Sequence, residues 1–83
     1  MTLAPLPALS PGRYRHYKGR HYEVACLARH SETEEVLVVY RPLYGAGEWW
    51  VRPHAMFVER VEIDGRAVPR FEYVGPAADP GPA

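Results

Sequence analysis

The stretch from Glu35 to Pro53, EVLVVYRPLYGAGEWWVRP, constrains this chain more than any other. Val36, Leu37, Val38, Val39 and Tyr40 form an unbroken β-branched and aromatic run, which suits a pleated, half-buried surface. Pro42 ends the run by removing a ladder donor, and Gly45 and Gly47 let the backbone reverse. Trp49, Trp50 and Val51 resume an extended pattern that Pro53 stops. The expected unit is a hairpin, and it supplies the densest apolar surface in the chain.

Around this hairpin the rest of the sequence reads as more short strands. Pro11-Gly12 marks a turn before Arg13–Lys18, whose alternation places Tyr14 and His16 on one face and Arg13, Arg15 and Tyr17 on the other. Gly19 and Arg20 make a tight connection into 21–30, where Tyr22, Val24, Cys26 and Ala28 share an inward face, leaving Leu27 opposite. Ser31–Glu34 matches the letters of a helix capping box, but β-branched residues follow, so it reads as a polar turn. Pro53–Phe57 suits a single helical turn. Val58–Ile63 alternates again, and Asp64-Gly65, a strong hairpin signal, joins it to a last strand over 67–73.

Five or six short strands with one helical turn predict an all-β fold: a small SH3-like barrel, with an OB-like roll as the alternative. Closure would hide sheet edges. Val24, Val38, Val51, Val61 and Phe71 are expected to share the core. The chain of 83 residues divides into a Pro/Ala-rich tail over 1–11, a barrel domain over 12–74 and a second such tail over 75–83. A core this small lies near the lower limit for folding without staples, and the single cysteine excludes an internal disulfide. Stability therefore falls to the six Tyr, two Trp and two Phe.

Ten basic residues balance ten acidic ones, so net charge gives no support to a nucleic-acid partner, and only a local patch would recommend one. There is no apolar run of membrane-spanning length and no secretory signal pattern. With a lone cysteine this points to the cytoplasm and away from a membrane.

The segments Tyr14-Arg15-His16-Tyr17-Lys18-Gly19, His30-Ser31-Glu32-Thr33, Val38-Val39-Tyr40-Arg41, Leu43-Tyr44-Gly45 and Trp50-Val51-Arg52-Pro53 occur in an order that resembles the bacterial family known as domain of unknown function 1653. Met56-Phe57 and Pro69-Arg70-Phe71 match its later part. The resemblance runs from about Gly12 to Phe71, and it implies no catalytic role for any residue. Trp49 and the Pro-rich tails are departures from the pattern.

The candidate ligand-binding residues are His16, Lys18, His30, Arg41, Tyr44 and Arg52. Arg41 and Arg52 each end a strand of the hairpin beside a proline, so both are expected at one loop-bearing rim with Tyr44 and at least one of His16 and His30. An arginine there can fork a carboxylate or phosphate; the alternative is an ion pair with Glu32, Glu34 or Glu48. The four histidines lack zinc-site spacing, so no metal, cofactor or catalytic residue is assigned. Cys26 reads as a small buried hydrophobe. His30 and Ser31 read as turn-stabilising rather than as members of a hydrolytic relay. The resulting function is a non-catalytic binding or adaptor module for an unknown protein or an anionic ligand: a peptide carboxylate, a nucleotide or RNA. Two alternatives stand beside it: a small hydrolase or isomerase with a histidine general base, and a homo-oligomeric assembly module anchored by Trp49.

Overall fold

Alternation along the strands sets the architecture. In the computed structural model, which describes residues 5–77, four consecutive antiparallel strands form a meander: β1 (Gly12–His16), β2 (His21–Arg29), β3 (Val36–Pro42) and β4 (Trp50–Pro53). A last strand, β7 (Phe71–Gly75), returns to pair with β1, giving the order β4-β3-β2-β1-β7. Between β4 and β7 come one helical turn, α1 (His54–Phe57), and a separate hairpin of β5 (Arg60–Ile63) and β6 (Arg66–Pro69). Asp64 and Gly65 make that hairpin's two-residue turn, both in the left-handed region at φ 51° and 78°.

One face of the large sheet carries the core. Tyr14, Val24, Val38, Tyr40 and Phe71 are buried there, and Phe57 drops onto them from α1. The rings of Phe57 and Phe71 stack with centroids 4.2 Å apart and planes 4° from parallel. Tyr14 and Tyr40 meet Phe57 edge-on at 5.4 and 5.8 Å. Aromatic burial of this kind supplies what a short chain without disulfides lacks elsewhere. Ahead of β1, Leu9 packs against this core and the Ser10 carbonyl accepts the Tyr14 hydroxyl proton at 2.7 Å. Residues 1–4 and 78–83 of the two expected tails lie outside the described residues.

The expected barrel, SH3-like or OB-like, does not form. The outermost strands β4 and β7 do not pair, so the five-stranded sheet stays open and the two-stranded sheet stands apart. The cause lies at Pro69-Arg70. The extended run over 67–73 is two strands, not one, because Pro69 has no N–H to continue a ladder. The Arg70 amide then donates to the Glu59 carbonyl at 2.9 Å, while the Arg70 carbonyl accepts from the Tyr17 amide at 3.0 Å. This residue thus hands the chain from the small sheet to the large one.

Two face assignments are also corrected. The β2–β3 register shifts between Val24 and Cys26; such a bulge inverts the faces beyond it. Cys26 therefore points outward and is exposed, while Leu27 packs against the core. Val51 pairs with Val39 on the outer side and is 59% exposed, whereas Val24, Val38 and Phe71 are buried as expected and Val61 is half-buried.

Candidate functional site

Register decides where the polar candidates go. Arg41 pairs across the ladder with Glu23, and Arg52 pairs with Val38. Because Val38 belongs to the core face, Arg52 lies on that inner face and Arg41 on the outer one. The two arginines do not share a rim.

On the outer face, the Arg41 Nε and Nη2 both donate to the Glu23 Oε1, at 3.0 and 2.7 Å. Its guanidinium also lies 4.8 Å from the Trp49 ring centroid. The ion-pair reading of Arg41 fits this geometry, with the cross-strand Glu23 as partner instead of a loop glutamate. His30 closes the turn after β2: its Nδ1 accepts the backbone N–H groups of Glu32 and Thr33 at 3.1 and 3.2 Å. It stands apart from the inner cluster, in the turn-stabilising role expected of it.

The inner face carries a continuous aromatic and cationic cluster towards the β1–β2 and β3–β4 turns. Tyr22 and Tyr44 join hydroxyl to hydroxyl at 3.0 Å, and the Arg20 guanidinium lies 4.4 Å from the Tyr44 ring centroid. Tyr22 meets Tyr40 and Phe71 at 5.8 and 5.4 Å. The Arg52 guanidinium lies 5.6 Å from the Phe71 centroid, and its Nε donates to the Tyr40 hydroxyl at 3.3 Å. Trp50 meets Tyr40 edge-on at 6.1 Å and remains 46% exposed. Tyr44 and Trp50 flank a hollow of about 140 Å³ lined also by Pro42, Gly45, Ala46, Gly47 and Glu48. Burial, reinforced by the bond to Tyr44, pushes the Tyr22 hydroxyl up to about 12, so it stays a neutral phenol.

His16 borders this cluster. Its ring sits 4.9 Å from Phe71 and 6.2 Å from Tyr22. Its Nδ1 accepts the Lys18 backbone N–H at 3.1 Å, which makes Nε2 the protonated nitrogen of the neutral ring. Burial lowers its pKa, and the Arg70, Lys18 and Arg52 charges lower it further. The Lys18 side chain stands at the border of the cluster: its Nζ lies 5.8 Å from the Tyr17 ring centroid, and the Tyr17 ring lies 4.5 Å from that of His16.

Of the six sequence candidates, His16, Tyr44 and Arg52 belong to the inner cluster, Lys18 borders it through Tyr17, and His30 and Arg41 lie elsewhere. Arg20 and Tyr22 belong to it without having been candidates for ligand contact, and Trp50, weighed as a candidate but read as structural, belongs to it too. The i, i+2 spacing of Arg20 and Tyr22 was the available signal, because it puts both on the Tyr44 side. Among the described residues no His, Cys, Asp and Glu group could hold a metal ion, and no helix is long and apolar enough to cross a membrane.

The fold and this surface define an open all-β domain with an aromatic and arginine-rich cluster suited to binding. The chain belongs to the bacterial family described as a protein of unknown function (DUF1653), whose model matches residues 12–73. It is similar to a crystal structure of a DUF1653 protein from Bordetella bronchiseptica. The two are 42% identical, with a TM-score of 0.76, and the match covers 86% of this chain and 94% of that one. No curated protein matches the chain.

Proposed function

We propose that the domain is a non-catalytic binding module whose inner face takes an anionic ligand carrying a planar ring, of which a nucleotide, free or within single-stranded RNA, is the best fit. One observation carries the reading. Arg15, Arg41 and Arg70 each pair with a glutamate, whereas Arg20 and Arg52 lie against aromatic rings and have no carboxylate partner among the described residues. Guanidinium groups held beside exposed rings offer phosphate contact and base stacking together. The neutral net charge is no obstacle, because these cations gather on one face. The catalytic alternative is weaker: His16 and His30 both spend the lone pair of Nδ1 on backbone amides, and a general base needs that electron pair for its substrate. The exposed lone cysteine supports a reducing, cytoplasmic setting.

The test is an amide-NMR titration with adenosine monophosphate, adenosine and inorganic phosphate. The monophosphate should bind tightest and shift Tyr44, Trp50 and Arg52. Arg52→Gln or Arg20→Gln should weaken it by about 1.5–3 kcal/mol, the range for a hydrogen bond to a charged group, and added salt should weaken it too. Arg41→Gln, on the opposite face, should leave binding unchanged. Equal losses from Arg41→Gln and Arg52→Gln, or no shift with any of the three probes, would end this reading.

A further inference from the structure

A second concavity, larger than the hollow beside Tyr44 and Trp50, lies away from the aromatic face. It lies beside the β1–β2 turn, where the β5–β6 hairpin leans towards the outer side of β1 and β7, and it encloses about 510 Å³. Three surfaces line it. Tyr17, Lys18 and Gly19 form one wall; Ile63, Val68 and Pro69 form the facing wall; Arg15 and Glu72 form the floor. The volume lies within the range that small-molecule sites occupy.

The chemistry of the three surfaces is complementary. Ile63 is exposed although it is a large aliphatic residue, and Val68 beside it is half-buried, so the hairpin wall offers apolar surface that nothing in the fold covers. Across from it stands the Lys18 ammonium above the Tyr17 ring, with no carboxylate within ion-pair distance among the described residues. On the floor, Arg15 and Glu72 bind each other at 3.2 Å. Glu72 would repel an anion if it stood alone, but Arg15 offsets its charge and leaves Lys18 as the unmatched one. The Lys18 and Gly19 backbone amides are already committed, to the His16 Nδ1 and to the His16 carbonyl. The ammonium is therefore the charged donor this wall presents to a ligand, beside the Tyr17 hydroxyl.

From this arrangement we infer a second site, for a small carboxylic acid with a branched aliphatic or aryl body. The body lies between Tyr17 and the Ile63–Val68 wall, and the carboxylate meets the Lys18 ammonium. This site uses Arg15 and Glu72 on the outer side of the sheet and shares none of Arg20, Tyr22, Tyr44, Trp50 or Arg52; it meets the inner cluster where the Tyr17 ring lies 4.5 Å from that of His16. It also gives the β5–β6 hairpin a use: a two-stranded sheet outside the main core adds little to it, yet it builds the aliphatic wall of this cleft.

Amide-NMR titrations of the whole chain provide the test, with isocaproate and phenylpropionate as probes. Acetate is the control for charge without body, and phenylpropionamide the control for body without charge. Both acids should shift Gly19, Ile63 and Val68 saturably at millimolar concentration, the affinity class expected for so few non-hydrogen atoms. Acetate and the amide should bind at least about tenfold more weakly. Lys18→Gln and Ile63→Ser, both at exposed positions, should each cost about the same factor. The tripeptide Gly-Gly-Leu, with free and with amidated C-terminus, separates a free acid from a chain terminus. The proposal is overturned if the amide binds as well as the acid, if the shifts fall on Tyr44 and Trp50 instead, if neither acid binds, or if the tripeptide binds and the small acids do not.

Discussion

Replacing Phe57 by alanine asks most directly how an open sheet keeps a core. Phe57 is the one buried residue of α1 and is 1% exposed; it stacks on Phe71 and receives the edges of Tyr14 and Tyr40. Losing its ring uncovers roughly 150 Å² of apolar surface, on the order of 4 kcal/mol at about 25 cal/mol/Å². Residual burial in the unfolded chain trims that figure and the cavity left behind raises it, so Phe57→Ala should cost about 3–5 kcal/mol. A domain of roughly 60 ordered residues has only about 3–9 kcal/mol in total. The variant should therefore stand at the edge of unfolding in water. Urea titration followed by far-ultraviolet circular dichroism measures this, with Met56→Ala as control; Met56 is exposed on the same turn and its loss should stay within about 0.5 kcal/mol. If Phe57→Ala cost no more than Met56→Ala, α1 would not be the plug of the sheet and the account of the core given above would be wrong.

Two further outcomes are expected. Gly12 sits at φ +141°, where a Cβ would come 2.6 Å from the Gly75 carbonyl oxygen; Gly12→Ala should lose about 2–4 kcal/mol in a thermal melt, and Gly19→Ala, at φ +106° with open space around it, clearly less. His16, held neutral in the fold by burial and by the Arg70, Lys18 and Arg52 charges, titrates near its ordinary value of about 6.5 in the unfolded chain. Below that pH the unfolded state binds more protons, so the contribution present in full at pH 8 should be lost as pH falls. The Tm drop between about pH 7 and pH 5 should be smaller in His16→Gln than in the wild type; an identical drop would rule out the assignment.

The strands were legible wherever alternation and turn chemistry acted alone. The central hairpin, the Asp64-Gly65 turn and the helical turn after Pro53 all stand where local sequence put them, because each is decided by nearest-neighbour sterics and hydrogen bonding. What failed depended on pairing. A bulge at Ala25 inverted Cys26 and Leu27, and no letter of the strand announces it. Barrel closure required β4 and β7 to meet, yet Pro69 split the last extended run and sent its second half to β1. The rim failed for a related reason: Arg41 and Arg52 each precede a proline, but the β3–β4 register places them on opposite faces. His16, Tyr44 and Arg52 do come together on the inner face, where aromatic and charged residues interleave. Arg20 and Tyr22 were passed over as connection and core, since only the fold reveals that they border Tyr44.

The pairing of β1 with both β2 and β7 sets a local contact beside one of long sequence separation, and the two cost different loop-closure entropies. The first four strands need only neighbours nearby in sequence. Phe57 and Phe71, whose stacking completes the interior, come later, and β7 must reach back across the whole domain to Arg13–His16. Until it does, the growing meander exposes Tyr14, Tyr22 and Tyr40 on one side and leaves β1 with a bare edge.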